Sequence, residues 1–151
     1  MQKIIVSDTS CLILLHKIGL IPLLKSLFGK VTITSTIAAE FGNTLPDFIN
    51  IEDPEDKIYQ KILEGFLDSG EASAIALALE KEDCLLIMDE SKGRREARQL
   101  KLNLTGTIGI LIIAKEKGFI ESISDIIDKI NQTDFRISEA LIIEAKRRCN
   151  E

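Results

Sequence analysis

Ile4-Ile5-Val6-Ser7-Asp8 and Leu85-Leu86-Ile87-Met88-Asp89 have the same design. Each is a short aliphatic run free of charge, closed by an aspartate just before a stretch with helical features. An apolar run that does not alternate reads as a strand buried on both faces, as in a parallel sheet. Open parallel sheets place their ligands just past the carboxyl ends of the strands. If these two strands are neighbours, Asp8 and Asp89 converge on one spot. Two close carboxylates repel, and a metal ion or a proton lets them coexist.

The pattern continues outward from these two runs. Val31-Thr32-Ile33-Thr34 reads as a strand, 48–52 alternates like a strand nearer an edge, and 102–105 is a short fifth. Helices are expected from Cys11, in a short piece ending near Phe28-Gly29, and through about Phe41, where Gly42-Asn43 stops it. Others run from Asp53-Pro54 to about Leu67, from Ala72 to Lys81 after Ser69-Gly70-Glu71, and from Ser91 to about Leu100. Three more, at roughly 107–117, 122–131 and 138–149, complete the chain. Strands separated by helical crossovers imply an α/β fold, a parallel sheet of about five strands with helices on both faces. With no repeat or linker, residues 1–151 read as one domain.

Composition narrows the class. The chain is 45% hydrophobic with aliphatics far outnumbering aromatics, which suits α/β rather than a β-sandwich. No uncharged apolar run approaches the ~20 residues that span a bilayer. The first residues also lack the basic and apolar regions of a signal peptide. A soluble, cytoplasmic protein without a membrane partner is expected. Cys11, Cys84 and Cys149 lie far apart with no CxxC pair, and read as reduced thiols. The net charge of −5 argues against nonspecific nucleic-acid binding through bulk charge, but leaves room for a local basic patch.

The acids each have two readings. Asp8 is either a cap for the following helix, where Ser7-Asp8-Thr9-Ser10 offers four candidates, or a functional carboxylate. Asp89, before Glu90-Ser91, poses the same choice. Glu40 lies late in an apolar helical segment, as a ligand or on an exposed turn. Glu71 sits in the first turn of its helix, where negative charge favours the macrodipole. Four acids with no histidine nearby would suit Mg²⁺ or Mn²⁺ over zinc. His16, the only histidine, lies on an apolar helix and reads as structural.

Several α/β enzymes fail on particular residues. No GxxxxGK[ST] occurs, and no GxGxxG follows the first strand. A haloacid-dehalogenase-like phosphatase needs an aspartate two residues after Asp8, where Ser10 stands. A response-regulator receiver needs a lysine after its last strand, where Thr105-Gly106-Thr107 stands.

Lys92, Arg94, Arg95, Arg98 and Lys101 follow Asp89 closely. Arg94 and Arg98, four apart, share a helix face. Arginine binds phosphate oxygens bidentately, although the same face could be solvated and paired with Glu90 and Glu96. With six Phe, one Tyr and no Trp, little readout of bases by stacking is expected. Lys146-Arg147-Arg148 reads as a solvated helix end.

Six stretches, in their order and spacing, resemble the PIN-domain superfamily. They are Val6-Ser7-Asp8-Thr9-Ser10, the Glu40 helix, Gly70-Glu71-Ala72-Ser73-Ala74-Ile75-Ala76-Leu77-Ala78, Leu86-Ile87-Met88-Asp89, Gly93-Arg94-Arg95-Glu96-Ala97 and Gly106-Thr107-Ile108-Gly109-Ile110-Leu111. The last two look like its less characterised prokaryotic, VapC-like branch. The resemblance covers essentially the whole chain and implies a three-layer α/β/α fold. It also implies a Mg²⁺- or Mn²⁺-dependent ribonuclease acting on single-stranded RNA. For many prokaryotic members it implies the toxin of a toxin–antitoxin pair, a homodimer with an antitoxin protein as partner.

By the same resemblance Asp8, Glu40, Glu71 and Asp89 become catalytic metal ligands, with Thr9, Ser10, Arg94, Arg95, Arg98 and Thr107 on the substrate side. Thr107 stands where the family commonly has Asp, Asn, Ser or Thr, and suits hydrogen bonding to water or phosphate. Glu71 departs from the aspartate common in the toxins. Four site acids account for −4 of the net −5, so metal binding would leave −1 towards RNA. The alternatives are a catalytically weak module that binds nucleic acid or an antitoxin, and a metal-dependent phosphatase on another α/β scaffold.

Overall fold

Strands β1 (Ile4–Ser7) and β4 (Cys84–Ile87) lie side by side in register, Ile4 opposite Cys84 and Ser7 opposite Ile87. This is a computed structural model that describes residues 3–151. The sheet runs β3 (Ile49–Ile51), β2 (Val31–Ile33), β1, β4, β5 (Asn103–Thr105), and every pairing is parallel. Burial explains the sequence pattern. The uninterrupted apolar runs occupy the centre, whereas the alternating 48–52 segment supplies an edge strand with Asn50 and Ile51 exposed. The chain builds outward from β1 through β2 to β3, then returns to place β4 on the other side of β1. The order therefore reverses between β1 and β4, where open α/β sheets form their crevice.

Nine helices among the described residues cover the sheet: α1 (Thr9–Lys17), α2 (Pro22–Phe28), α3 (Ser35–Phe41), α4 (Lys57–Leu63), α5 (Ser69–Leu79), α6 (Ser91–Gln99), α7 (Thr107–Glu116), α8 (Ile123–Asn131) and α9 (Glu139–Arg148). Helices α3, α4 and α5 pack together, as do α7, α8 and α9, giving the three-layer α/β/α arrangement. Alanines at 72, 74, 76 and 78 let α5 approach β1 and β4 closely, and residues 72–78 are all buried. The Glu151 carboxylate accepts from Ile123 N (2.9 Å) and Ser124 N (3.1 Å) and pairs with Lys115 Nζ (3.1 Å), tying the α9 end to α7 and α8.

Helix boundaries differ from expectation where a side chain has a distant partner. The expected helix from Asp53 to about Leu67 is shorter, Lys57–Leu63. Asp53 Oδ1 instead accepts from Ser35 N (2.8 Å) and Oγ (2.9 Å), at the start of α3, and Asp56 caps α4. Helices α1 and α5 begin earlier than expected because Asp8 and Asp68 are their N-caps. The three cysteines are buried and free. No helix among the described residues is long and apolar enough to cross a membrane.

Candidate active site

The β1–β4 register brings Asp8 and Asp89 together. Asp8 N donates to Ile87 O (2.9 Å), and Asp89 N donates to Asp8 Oδ2 (2.8 Å). Asp8 Oδ1 accepts from Cys11 N (2.9 Å), so this residue both caps α1 and fastens the β4 end to it. Only 2% of Asp8 is exposed. Burial first, and the charge of Asp89 second, push its carboxyl up from 3.8 to about 7.

Asp89 is itself held by α7. Thr107 N donates to Asp89 Oδ1 (2.8 Å) and Thr107 Oγ1 to Oδ2 (2.6 Å). Thr107, expected on the substrate side, is fully buried. Both of its donors are spent on positioning Asp89. Behind the pair, burial and the charges of Asp8 and Asp89 drive the Cys11 thiol well above its ordinary value, leaving it an inert packing group.

Glu40 and Glu71 approach from α3 and α5. Glu40 lies exposed in the last turn of α3, and its Oε1 accepts from Thr9 Oγ1 (2.6 Å). It rests directly over Gly70, where a Cβ would meet Oε1 at 2.2 Å. Glu71 Oε2 is buried without a hydrogen-bond partner. Burial, then Asp68, pushes this carboxyl up from 4.5 to about 7. A Cβ on Gly93 would stand 2.3 Å from Met88 Sδ and 3.0 Å from Glu71 Oε2, so glycine leaves room for the acid.

A cavity of about 330 Å³ is lined by Asp8, Thr9, Ser10, Glu40 and Glu71, together with Asp68, Glu90 and Lys92. Neither Asp68 nor Glu90 was singled out as a site acid from sequence; Asp68 caps α5 by accepting from Glu71 N, while Glu90, just before α6, makes no capping hydrogen bond. Asp89 faces an adjoining hollow with Arg94, Arg95 and Arg98. Arg95 and Arg98 are exposed there. Arg94 is half-buried and donates through Nη1 to Met88 O (2.8 Å), so it also braces the end of β4. Burial and then Arg98 lower its affinity for its proton. None of the three pairs with Glu90 or Glu96. His16 lies apart from the site, exposed and edge-on to the Phe41 ring at 5.6 Å.

A family model for the PIN domain matches residues 4–151. The chain belongs to the PIN-domain family. No curated protein was found to match it. PIN domains are in general nucleases that use divalent metal ions, and this PIN domain has the nuclease-like fold. Its donor set fits a hard divalent cation: all the acids offer oxygen, and the unpartnered Glu71 Oε2 beside a crowded, buried Asp8 is what such an ion would relieve. As they stand, no three His, Cys, Asp or Glu side chains among the described residues are gathered closely enough to hold one.

Proposed function

We propose that this PIN domain, residues 1–151 as a single unit, is a Mg²⁺- or Mn²⁺-dependent ribonuclease that hydrolyses single-stranded RNA. The observation that carries the reading is the direct Asp8–Asp89 contact at the switch point of the sheet, with the Glu71 oxygen buried and unpartnered nearby. Asp8, Asp89, Glu40 and Glu71 are the residues that would hold metal. When bound, the ion polarises the scissile phosphate and lowers the pKa of an attacking water. Thr107 keeps Asp89 in place, and Thr9 does the same for Glu40. Thr9, Ser10, Lys92, Arg95 and Arg98 face the two hollows where a phosphate chain would lie.

The proposed setting is cytoplasmic, as the toxin of a toxin–antitoxin pair and as a homodimer. Ile58 and Ile62, one turn apart on α4, are 70% and 61% exposed and offer a protein partner apolar surface. A labelled single-stranded RNA incubated with the purified protein is expected to be cut in Mg²⁺ or Mn²⁺ and to stay intact in EDTA. Cleavage that persists in EDTA would contradict the metal dependence.

A second reading has its own support. Both oxygens of Asp8 and of Asp89 already accept hydrogen bonds, an arrangement that would also suit a PIN-like module that binds RNA or an antitoxin with little turnover. RNA binding that survives EDTA, with no product at any metal concentration, would favour it.

A further inference from the structure

We propose that a groove between α7 and α9 seats a nucleobase of the RNA strand next to the scissile phosphate, with Phe135 as its stacking partner. This rests on the ribonuclease reading above. The groove has a volume of about 360 Å³, within the roughly 300–1,000 Å³ of ligand pockets. Asp89 and Arg94 line it together with Ile108, Ile112, Phe135 and Leu141. The groove therefore reaches the proposed metal centre through Asp89, and Ile108, Ile112, Phe135, Ile137 and Leu141 give it an apolar wall. Gly106 also lines the groove, where a Cβ would lie 2.9 Å from Asp89 Oδ1 and 3.1 Å from Arg94 Nη1. Any side chain there would crowd the Asp89 carboxylate and the Arg94 guanidinium.

The wall is built rather than loose. Phe135 N donates to Thr133 Oγ1 (3.1 Å), which donates to Ile130 O (2.6 Å) at the end of α8. Arg136 Nη1 donates to Thr133 O (3.3 Å), so the segment carrying the ring is tied at three points. Charge selects the occupant. Arg136 and Arg148 join Arg94 on the groove, while Glu144, its one acid besides Asp89, is already engaged by Arg147 at 3.0 and 2.5 Å. The Arg148–Glu116 pair is exposed and 3.6 Å apart, so Arg148 can turn to a phosphate at little cost. An apolar slot with a cationic rim, continuous with an acidic metal centre, matches a flat base on an anionic backbone. Aromatic stacking of this kind holds bases of any sequence.

The chain has no tryptophan, so Phe135→Trp places a unique fluorophore in the groove. Titration with a fluorescein-labelled single-stranded oligoribonucleotide, read within seconds of mixing in Mg²⁺ and again in EDTA, reports binding by anisotropy and stacking by tryptophan quenching. The expected result is saturable quenching that tracks the anisotropy rise. A companion variant, Phe135→Leu, keeps apolar bulk and removes the ring, and should weaken RNA binding roughly tenfold. Anisotropy that rises without quenching, with Phe135→Leu binding normally, would overturn the groove and leave the ribonuclease reading intact. No anisotropy rise in either condition would overturn both.

Discussion

Asp89→Asn is expected to reduce metal-dependent RNA cleavage on the order of a hundredfold or more, and to shift the melting temperature by no more than about 2 °C. The contrast follows from what Asp89 touches. Its two oxygens accept from Thr107 N and Thr107 Oγ1. An amide oxygen still takes the N–H, and an amide NH₂ can donate to the threonine hydroxyl, which rotates to accept. The fold keeps its bonds while the site loses a charge. Asp8→Asn is a less clean experiment, although it too should abolish cleavage. Both Asp8 oxygens accept backbone N–H groups, from Cys11 and from Asp89. An NH₂ in either place confronts a donor and leaves it unsatisfied, at a cost of about 1–3 kcal/mol that the lost carboxylate repulsion partly offsets. RNA cleavage and thermal melting of the two variants, measured side by side, check this. Full cleavage by Asp89→Asn would remove Asp89 from the machinery.

Without divalent ions, the melting temperature is expected to fall as pH rises from 5 to 8, and Mn²⁺ is expected to reverse the loss at pH 8. Asp8 titrates near 3.8 when unfolded and about 7 when folded, because its charged form is buried beside Asp89. A raised carboxyl favours the folded state fully below the unfolded value, and that advantage is lost as pH climbs through about 7. Glu71, raised from 4.5 to about 7, acts in the same direction, discounted because it is half-exposed. The carboxyls of Asp53, Asp134, Glu144 and Glu151 are shifted down, and their stabilising share is lost only on acidification. Between pH 5 and 8 the site acids therefore set the slope. Mn²⁺ at a hundred times its Kd would add about 2.7 kcal/mol, or roughly 5–10 °C. Melting curves at pH 5, 6.5 and 8, with and without Mn²⁺, test both halves. A flat profile, or no response to Mn²⁺, would count against a formed acidic centre.

The central features of the fold were legible because they are local. Uncharged aliphatic runs identify β1 and β4, and the alternation at 48–52 identifies an edge. The aspartates that close the central strands then lie at the crevice of a parallel sheet, where the structure places them. What sequence could not show depends on distant partners. Asp53 left the start of its expected helix because Ser35, eighteen residues earlier, offers two donors. That Asp89 takes both Thr107 donors likewise shows only where the start of α7 meets the end of β4. Asp68 and Glu90 precede α5 and α6, and only the tertiary fold brings them to the cavity with Asp8 and Glu71. The scarcity of aromatics was plain in the sequence, but that one of them, Phe135, shares a groove with Asp89 and Arg94 shows only in the fold.

Anomalous scattering from a crystal soaked in Mn²⁺ tests the account most directly. A peak bounded by Asp8, Glu71 and Asp89, with the Glu71 carboxylate turned to it, is the predicted result. A clean map at that position under saturating Mn²⁺ would contradict the metal centre on which the proposed chemistry depends.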